Sequence, residues 1–159
     1  MTQHHIKQMP ISLLSRRKSD VRTQFAALCY RITNDKPELL MVTSRGSKRW
    51  IIPKGWPEHG MTPGEAALRE AWEEAGVIGR ITGSCLGLFS YHKEMDAETA
   101  PMPCVAMVYP VRVRSLAEDY PERDKRKRKW MRRKKAATKV QEPELAHLLR
   151  TFDPKLLRG

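Results

Sequence analysis

One short segment near the middle of the chain constrains the fold most, because it marks both ends of a helix. The hydroxyl of Thr62 can cap the helix, Pro63 suits the first helical position, and Glu65 completes a capping box three residues after the cap. Gly76 suits the left-handed conformation just past a helix end. The sequence therefore predicts a helix over residues 63–75.

This helix carries three carboxylates on one side. At about 100° per residue, Glu70, Glu73 and Glu74 fall within an arc of about 100°. Arg69 flanks this acidic stripe and lies four residues before Glu73. The opposite side is apolar, and we expect it to pack on the core through Leu68, Ala71, Trp72 and Ala75.

The clustering of these carboxylates needs a physical reason. Like charges three or four residues apart destabilise a helix by a few tenths of a kcal/mol per pair. A hard divalent cation such as Mg²⁺ takes oxygen ligands and would offset this repulsion, and beside a phosphate it activates a water nucleophile. From the helix alone, a metal site and a solvated acidic face both remain open.

The rest of the chain alternates between strand-like and helix-like segments. We expect one mixed α/β domain over residues 21–159, preceded by a flexible basic arm over residues 1–20. A loop is predicted at residues 53–57, and a polar connection at residues 93–103. The predicted strands are residues 25–32, 38–44, 49–53, 81–92, 104–113 and 130–131, and the predicted later helices are residues 132–140 and 143–152.

Composition excludes two classes of protein. The chain is 40% hydrophobic and 30% charged, and its apolar runs fall far short of a membrane-spanning segment, so we expect no membrane partner. Its N-terminus lacks the apolar stretch of a secretory signal. The three cysteines show no CxxC spacing, which is typical of unpaired thiols in a reducing compartment. These features predict a cytoplasmic protein.

Positive charge is concentrated in one part of the chain. The net charge is +12, and residues 112–135 hold twelve basic and four acidic residues, a net of +8. The centre of this segment is an unbroken basic run, Lys125–Lys129. An anionic partner is expected, either nucleic acid or a heavily phosphorylated small molecule.

The helix residues and an upstream glycine together resemble a known motif. Gly55, Arg69-Glu70, Glu73-Glu74 and Gly76-Val77 match the Nudix box, Gly-x5-Glu-x7-Arg-Glu-U-x-Glu-Glu-x-Gly-U (U, bulky aliphatic), at six of its seven fixed positions. The flanking segments are similar to those of diphosphoinositol polyphosphate phosphohydrolases and diadenosine polyphosphate hydrolases. The chain is thereby identified as a member of the Nudix family, with similarity over about residues 21–152.

The resemblance implies the Nudix fold, an α/β/α sandwich with a mixed sheet and a loop–helix–loop catalytic motif. It implies metal-dependent hydrolysis of a phosphoanhydride bond, in a diphosphoinositol polyphosphate or a diadenosine polyphosphate. Mg²⁺ or Mn²⁺ would be held by Glu70, Glu73, Glu74 and the Gly55 carbonyl. Arg69 would orient a glutamate, and a box glutamate such as Glu70 is the first candidate for the general base.

The resemblance also implies a set of phosphate contacts, at Arg22, Ser44, Arg45, Lys54, His92 and Lys93. The basic run Lys125–Lys129 is expected to line the rim for a compact polyphosphate. Two positions depart from the box, because Met61 replaces its first glutamate and Ala71 replaces a larger aliphatic residue. Glu58 and Glu65 are candidates to replace that glutamate in part.

Two alternative functions stay open. In the first, a Nudix enzyme acts on the 5′ end of RNA, and residues 125–135 follow the RNA backbone. In the second, the chain is a non-catalytic nucleic-acid-binding protein with an incidental acidic helix. The basic run has no interleaved aromatic residue apart from Trp130, which argues against a base-stacking platform. The sequence leaves the oligomeric state open.

Overall fold

A mixed β-sheet of eight strands forms the frame of the part of the chain that the structure describes. This structure is a computed structural model that describes residues 22–93, 98 and 100–157, and the predicted arm of residues 1–20 lies outside it. The strands are β1 (Thr23–Thr33), β2 (Lys36–Thr43), β3 (Trp50–Ile51), β4 (Lys54–Gly55), β5 (Val77–Ile81), β6 (Gly87–Lys93), β7 (Met102–Leu116) and β8 (Arg128–Arg132). The helices are α1 (Pro63–Ala75), α2 (Arg133–Lys139) and α3 (Pro143–Thr151), followed by a 3₁₀ turn, Pro154–Leu156.

Strand β1 is the centre of the sheet. It pairs in parallel with β7 and antiparallel with β2 and β4, so the predicted α/β fold with a mixed sheet is confirmed. Every residue from Gln24 to Tyr30 is buried. A strand buried at successive positions is covered on both faces, because neighbouring side chains point to opposite sides. Helix α1 packs against β1, β4 and β5, whereas α2 and α3 pack against each other, with α2 also contacting β2 and α3 contacting β6.

Helix α1 confirms the predicted bounds at both ends. Thr62 and Glu65 form the capping box, and Gly76 adopts the left-handed conformation with φ of 66°. The predicted apolar face is wrong at Trp72, which is 37% exposed. The buried side of the helix consists instead of small residues together with Glu74, because alanines allow the helix to lie close to β1: Gly64, Ala66, Ala67, Ala71, Glu74 and Ala75.

The predicted strand over residues 81–92 is wrong, because the structure has two strands there. β5 and β6 pair antiparallel with consecutive parts of β7. The chain turns between them at Gly83-Ser84, and the backbone amides of Thr82 and Leu86 on either side of the turn still donate to β7 carbonyls. The predicted loop at residues 53–57 likewise contains the two-residue strand β4, whose Gly55 pairs with Phe25.

The state of the cysteines and the length of the helices can be compared with the expectations about disulfides and membrane-spanning segments. Cys29 and Cys104 are buried, Cys85 is half-buried, and all three thiols are free. No helix within the described residues is long and apolar enough to cross a bilayer.

Candidate functional site

Two glutamates of α1 line one cavity, of about 290 Å³, beside the short strand β4. Glu74 is only 5% exposed, and its carboxylate accepts hydrogen bonds from the Lys54 amide at 3.3 Å and from Arg126 Nη2 at 3.3 Å. Glu70, one turn earlier, lies deep enough to be half-buried. The whole lining is Gln24, Lys54, Gly55, Trp56, Pro57, Glu58, Glu70, Glu74, Lys93 and Arg126.

Gly55 brings the backbone of β4 against the Glu70 carboxylate. A Cβ added at Gly55 would lie 2.1 Å from both Glu70 Cδ and Glu70 Oε1. No other residue fits there without displacing that carboxylate, because real Cβ atoms do not approach so closely. The glycine at position 55 thus allows the backbone of β4 to lie directly against the Glu70 carboxylate.

The carboxyl groups of Glu70 and Glu74 have raised pKa values in this site. Burial, together with repulsion from Glu74 and Glu73, raises the pKa of Glu70 to about 8. Burial also raises the pKa of Glu74 to about 7, although Arg126 and Lys54 act in the opposite direction. An acidic face that merely carried surface charge would not bury its carboxylates at this cost.

A hard divalent cation fits this donor set. The described residues contain no group of three or more His, Cys, Asp or Glu side chains arranged to enclose a metal ion. Mg²⁺, however, is usually held by one or two carboxylates together with substrate phosphates, and it keeps several waters. Glu70, Glu74 and the backbone at Gly55 offer that smaller set of oxygen atoms.

Glu73 lies apart from the other two carboxylates of the acidic stripe. It does not line the cavity, and its Oε1 accepts a hydrogen bond from Arg69 Nε at 3.0 Å. Arg69 also approaches Glu58 at 3.4 Å. The predicted ion pair between Arg69 and a box glutamate is therefore present, and Arg69 links Glu73 to a carboxylate on the cavity wall.

Cations form the other side of the site. Lys54 is mostly buried, which lowers its pKa to about 8, and its Nζ lies 4.4 Å from the centroid of the Tyr91 ring. Tyr91 in turn donates a hydrogen bond to Gln24, which lies at the cavity wall. Because Lys54, Lys93 and Arg126 line the same cavity as the acidic pair, an anionic group entering the cavity meets positive charge beside the carboxylates.

A second cavity, of about 600 Å³, shares Lys54, Lys93 and Arg126 with the first. It brings together five of the six predicted phosphate contacts, namely Ser44, Arg45, Lys54, His92 and Lys93. Arg22, the sixth, is exposed at the start of β1 and lines neither cavity. One wall of the second cavity is a buried ion pair, Arg49 Nη1 to Glu142 Oε2 at 2.7 Å, which the sequence reasoning did not find.

The basic run Lys125–Lys129 does not form the uniform rim that was predicted. Lys125, Lys127 and Lys129 are exposed, but the two arginines between them turn inward. Arg126 contacts Glu74 and Glu122. Arg128 Nη1 donates to the Ala75 carbonyl at 2.8 Å and lies 4.7 Å from the Tyr120 ring, so it caps the end of α1. The prediction is wrong at these two arginines because contacts with α1 and Glu122 hold their side chains inward.

The model of the NUDIX domain matches residues 22–152 of the chain. The chain belongs to the Nudix hydrolase family. It is 38% identical over 109 residues to human diphosphoinositol polyphosphate phosphohydrolase 3-beta, and equally to the human 3-alpha protein. These alignments cover 67% of this chain and 62% of each relative, so the chain spans less than two thirds of the curated relatives it matches.

Solved Nudix structures share the fold. An Ap4A hydrolase from C. elegans superposes with a TM-score of 0.57 at 23% identity, covering 82% of this chain and 94% of that one. A Nudix hydrolase from Clostridium perfringens gives a TM-score of 0.61 at 18% identity, with the same coverage. At these identities the likeness concerns the fold. Nudix hydrolases generally use divalent metal ions, which agrees with the donor set at Glu70 and Glu74.

The departure of this Nudix box at Met61 has a structural counterpart. Met61 does not line the cavity that contains Glu70 and Glu74, whereas Glu58, three residues earlier, does. Glu65 is held in the capping box, where its Oε1 accepts from the Thr62 amide at 3.3 Å. Of the two carboxylates considered as replacements, only Glu58 faces the site. Ala71, the second departure, is fully buried on the side of α1 that packs on the sheet.

Proposed function

We propose that this Nudix hydrolase cleaves phosphoanhydride bonds in small polyphosphate compounds, with Mg²⁺ or Mn²⁺ as cofactor. The observation that carries the proposal is one cavity lined by the buried Glu74 and the half-buried Glu70 together with three cations, Lys54, Lys93 and Arg126. One side of this cavity suits a metal ion and the other suits phosphate oxygens. The names of the relatives, phosphohydrolases of diphosphoinositol polyphosphates, support a substrate rich in phosphate.

Glu70, Glu74 and the Gly55 carbonyl are the groups proposed to hold the metal, with Glu73 acting indirectly through Arg69 and Glu58. When bound, the ion supplies Lewis acid chemistry, polarising a phosphoryl oxygen and lowering the pKa of a water molecule. Lys54, Lys93 and Arg126 neutralise the oxyanions of the substrate. Glu70 is the first candidate for the general base, and Glu58, the third carboxylate on the cavity wall, is the second.

The remaining predicted contacts, Ser44, Arg45 and His92, line the larger cavity and are proposed to bind phosphates distant from the cleaved bond. A non-catalytic nucleic-acid-binding protein is disfavoured, because such a protein has no use for two costly buried carboxylates facing a cavity. Action at the 5′ end of RNA remains a second candidate, favoured by the exposed lysines Lys125 and Lys127.

The test is a screen of diphosphoinositol polyphosphates, diadenosine polyphosphates and 5′-triphosphorylated RNA, with Mg²⁺ or Mn²⁺ and product analysis by anion exchange. We expect turnover of at least one phosphoanhydride, lost in excess EDTA and restored by the metal. Glu65→Gln is the matched control, because it removes one carboxylate from the same helix outside the cavity. Full turnover in excess EDTA, or hydrolysis of none of these substrates, would contradict the proposal.

A further inference from the structure

A third cavity, of about 460 Å³, lies against Arg126 and has no role in the proposed chemistry. Its volume is within the range of small-molecule sites. Because Arg126 lines this cavity and the catalytic cavity alike, the two spaces meet at one side chain. The lining is Thr43, Lys48, Trp50, Arg123, Asp124, Lys125, Arg126 and Lys127.

Three adjacent segments build the floor of this cavity, which we name the Trp50 cavity. Trp50 pairs with Thr43 across the β2–β3 ladder. On the other side of Thr43, its amide donates to the Lys127 carbonyl at 3.0 Å, and the Lys127 amide donates to Thr43 Oγ1 at 2.9 Å. Since neighbouring strands lie about 4.8 Å apart, the backbones at Trp50 and Lys127 are about 10 Å apart.

The rim of the Trp50 cavity is strongly cationic. Lys48, Arg123, Lys125 and Lys127 are all exposed, so their charges face solvent and any ligand there. The one acid of the lining, Asp124, has a 96% exposed side chain and only approaches Arg123 at 4.0 Å. Two lysines of the basic run, Lys125 and Lys127, therefore belong to this rim.

Trp50 is the indole that lines this cavity. Arg31 lies 4.2 Å from the ring of Trp130, and Lys93 Nζ lies 5.7 Å from that of Trp56. Within the described part of the chain, no cation lies over the ring of Trp50. Trp50 is half-buried and lines the cavity, whereas its neighbour Ile51 is buried in the core.

We infer that the Trp50 cavity binds the nucleoside 5′-phosphate part of the substrate, with the base stacked on Trp50 and phosphates bound by Lys125 and Lys127. This inference rests on the proposed hydrolase function and names a nucleotide as the part of the substrate beyond the cleaved bond. An aromatic ring beside lysines matches the planar base and the phosphates of a nucleotide. A phosphorylated inositol ring has no planar face, so it gains nothing from the indole.

The first experiment measures binding without turnover. Glu74→Gln protein is titrated with radiolabelled diadenosine tetraphosphate by equilibrium dialysis, and Trp50→Leu or Lys125→Ala/Lys127→Ala is added to that background. Loss of the stacked base should weaken binding roughly tenfold, and loss of the two lysines should weaken it by a similar factor. Trp50→Phe keeps an aromatic ring and should stay within about threefold of the parent. Thermal melting of each variant checks that it is folded.

The matched control for charge is Lys134→Ala/Lys135→Ala, which removes two exposed lysines on α2 that do not line the Trp50 cavity. In the active enzyme, the ratio of KM values between diadenosine tetraphosphate and a diphosphoinositol polyphosphate should rise roughly tenfold in Trp50→Leu. Equal weakening by both lysine pairs would overturn the inference, because it would show attraction by net charge alone. Unchanged nucleotide binding in Trp50→Leu and Lys125→Ala/Lys127→Ala would overturn it as well.

Two sources of the nucleotide are distinguished by length. If it is the 5′ end of RNA, a triphosphorylated ten-nucleotide strand should bind more tightly than ATP, and Lys125→Ala/Lys127→Ala should remove that gain. If it is a dinucleoside polyphosphate, diadenosine tetraphosphate should bind at least as tightly as the strand. Nucleotide binding that depends on Trp50 without hydrolysis of any substrate would refute the proposed function and leave this site standing. Hydrolysis of a substrate, with nucleotide binding unchanged in Trp50→Leu and Lys125→Ala/Lys127→Ala, would support the proposed function and refute this site.

Discussion

The close approach of β4 to α1 allows a sharp test of the proposed metal site, the substitution Gly55→Ala. The new Cβ would lie 2.1 Å from the Glu70 carboxyl carbon, and ordinary contact begins at 3.4 Å, so the carboxylate must retreat by about 1.3 Å. A misplacement of about 1 Å in a catalytic group can cost roughly 10²-fold in rate. We therefore expect kcat/KM to fall about 100-fold, equivalent to about 2.7 kcal/mol of transition-state stabilisation.

The same substitution should barely change stability. Gly55 does not need a left-handed backbone, and the side chain that must move is partly exposed and already repelled by its acidic neighbours. We expect the free energy of unfolding, from urea denaturation in EDTA, to stay within about 1 kcal/mol of the parent protein. Because alanine keeps the backbone carbonyl of residue 55, the loss of rate reports the position of Glu70.

Gly64→Ala is the matched control. The atoms nearest to an added Cβ there belong to the Ile81 side chain, at 3.6 Å or more, which is ordinary contact. Gly64 lies inside α1, so alanine should leave kcat/KM unchanged and stabilise the protein slightly. The assay is steady-state hydrolysis of the best substrate from the screen at saturating Mg²⁺. If Gly55→Ala retains the parental kcat/KM, then the position of Glu70 against β4 does not matter for catalysis, and the assigned metal site is wrong.

Three further predictions concern the same region. Glu74→Gln should lower kcat at least ~10³-fold with a cooperative melt retained, measured by kinetics and circular dichroism, and undiminished turnover would rule out Glu74 as a ligand. Arg126→Ala should lower kcat at least tenfold because it removes a cation from Glu74. Arg128→Ala should keep kcat within twofold of the parent protein. It should instead lower the free energy of unfolding in urea by ~2 kcal/mol, because the cap on α1 is lost. Burial raises the pKa of the Cys29 thiol, so Ellman's reagent should leave Cys29 unmodified in the native protein at pH 8 and react with it in urea; rapid native reaction would show that the strand opens.

The helix could be predicted to the residue because its signals are local. The hydroxyl of Thr62, the carboxylate of Glu65 and the freedom of Gly76 act within one turn of each end. The rotation of the helix about its own axis, relative to the sheet, is not determined by local signals. It follows from the alanine side packing on β1, which buries Glu74 and leaves Trp72 at the surface, and no helical wheel carries that information.

The contacts that complete the site join residues far apart in the chain. Arg126 reaches Glu74 across 52 positions, and Arg49 pairs with Glu142 from another part of the sheet. Sequence reasoning treated Arg126 as one charge in a cluster. The order of arginine and lysine in Lys125–Lys129 nevertheless contained a signal, because the arginines that turn inward alternate with lysines that stay exposed.

The alternation of arginine and lysine in residues 125–129 makes this segment more sensitive to a change in its length than to a substitution at Lys127. Arg126 and Arg128 both turn inward, and the exposed Lys127 separates them. Exchanging Lys127 for another polar residue would cost the rim one charge. Deleting it costs the same one charge but also shortens the segment, so Arg126 and Arg128 cannot both keep their contacts with Glu74 and with the end of α1. The cationic rim therefore tolerates substitution at Lys127, whereas the two arginine contacts fix the length of the segment.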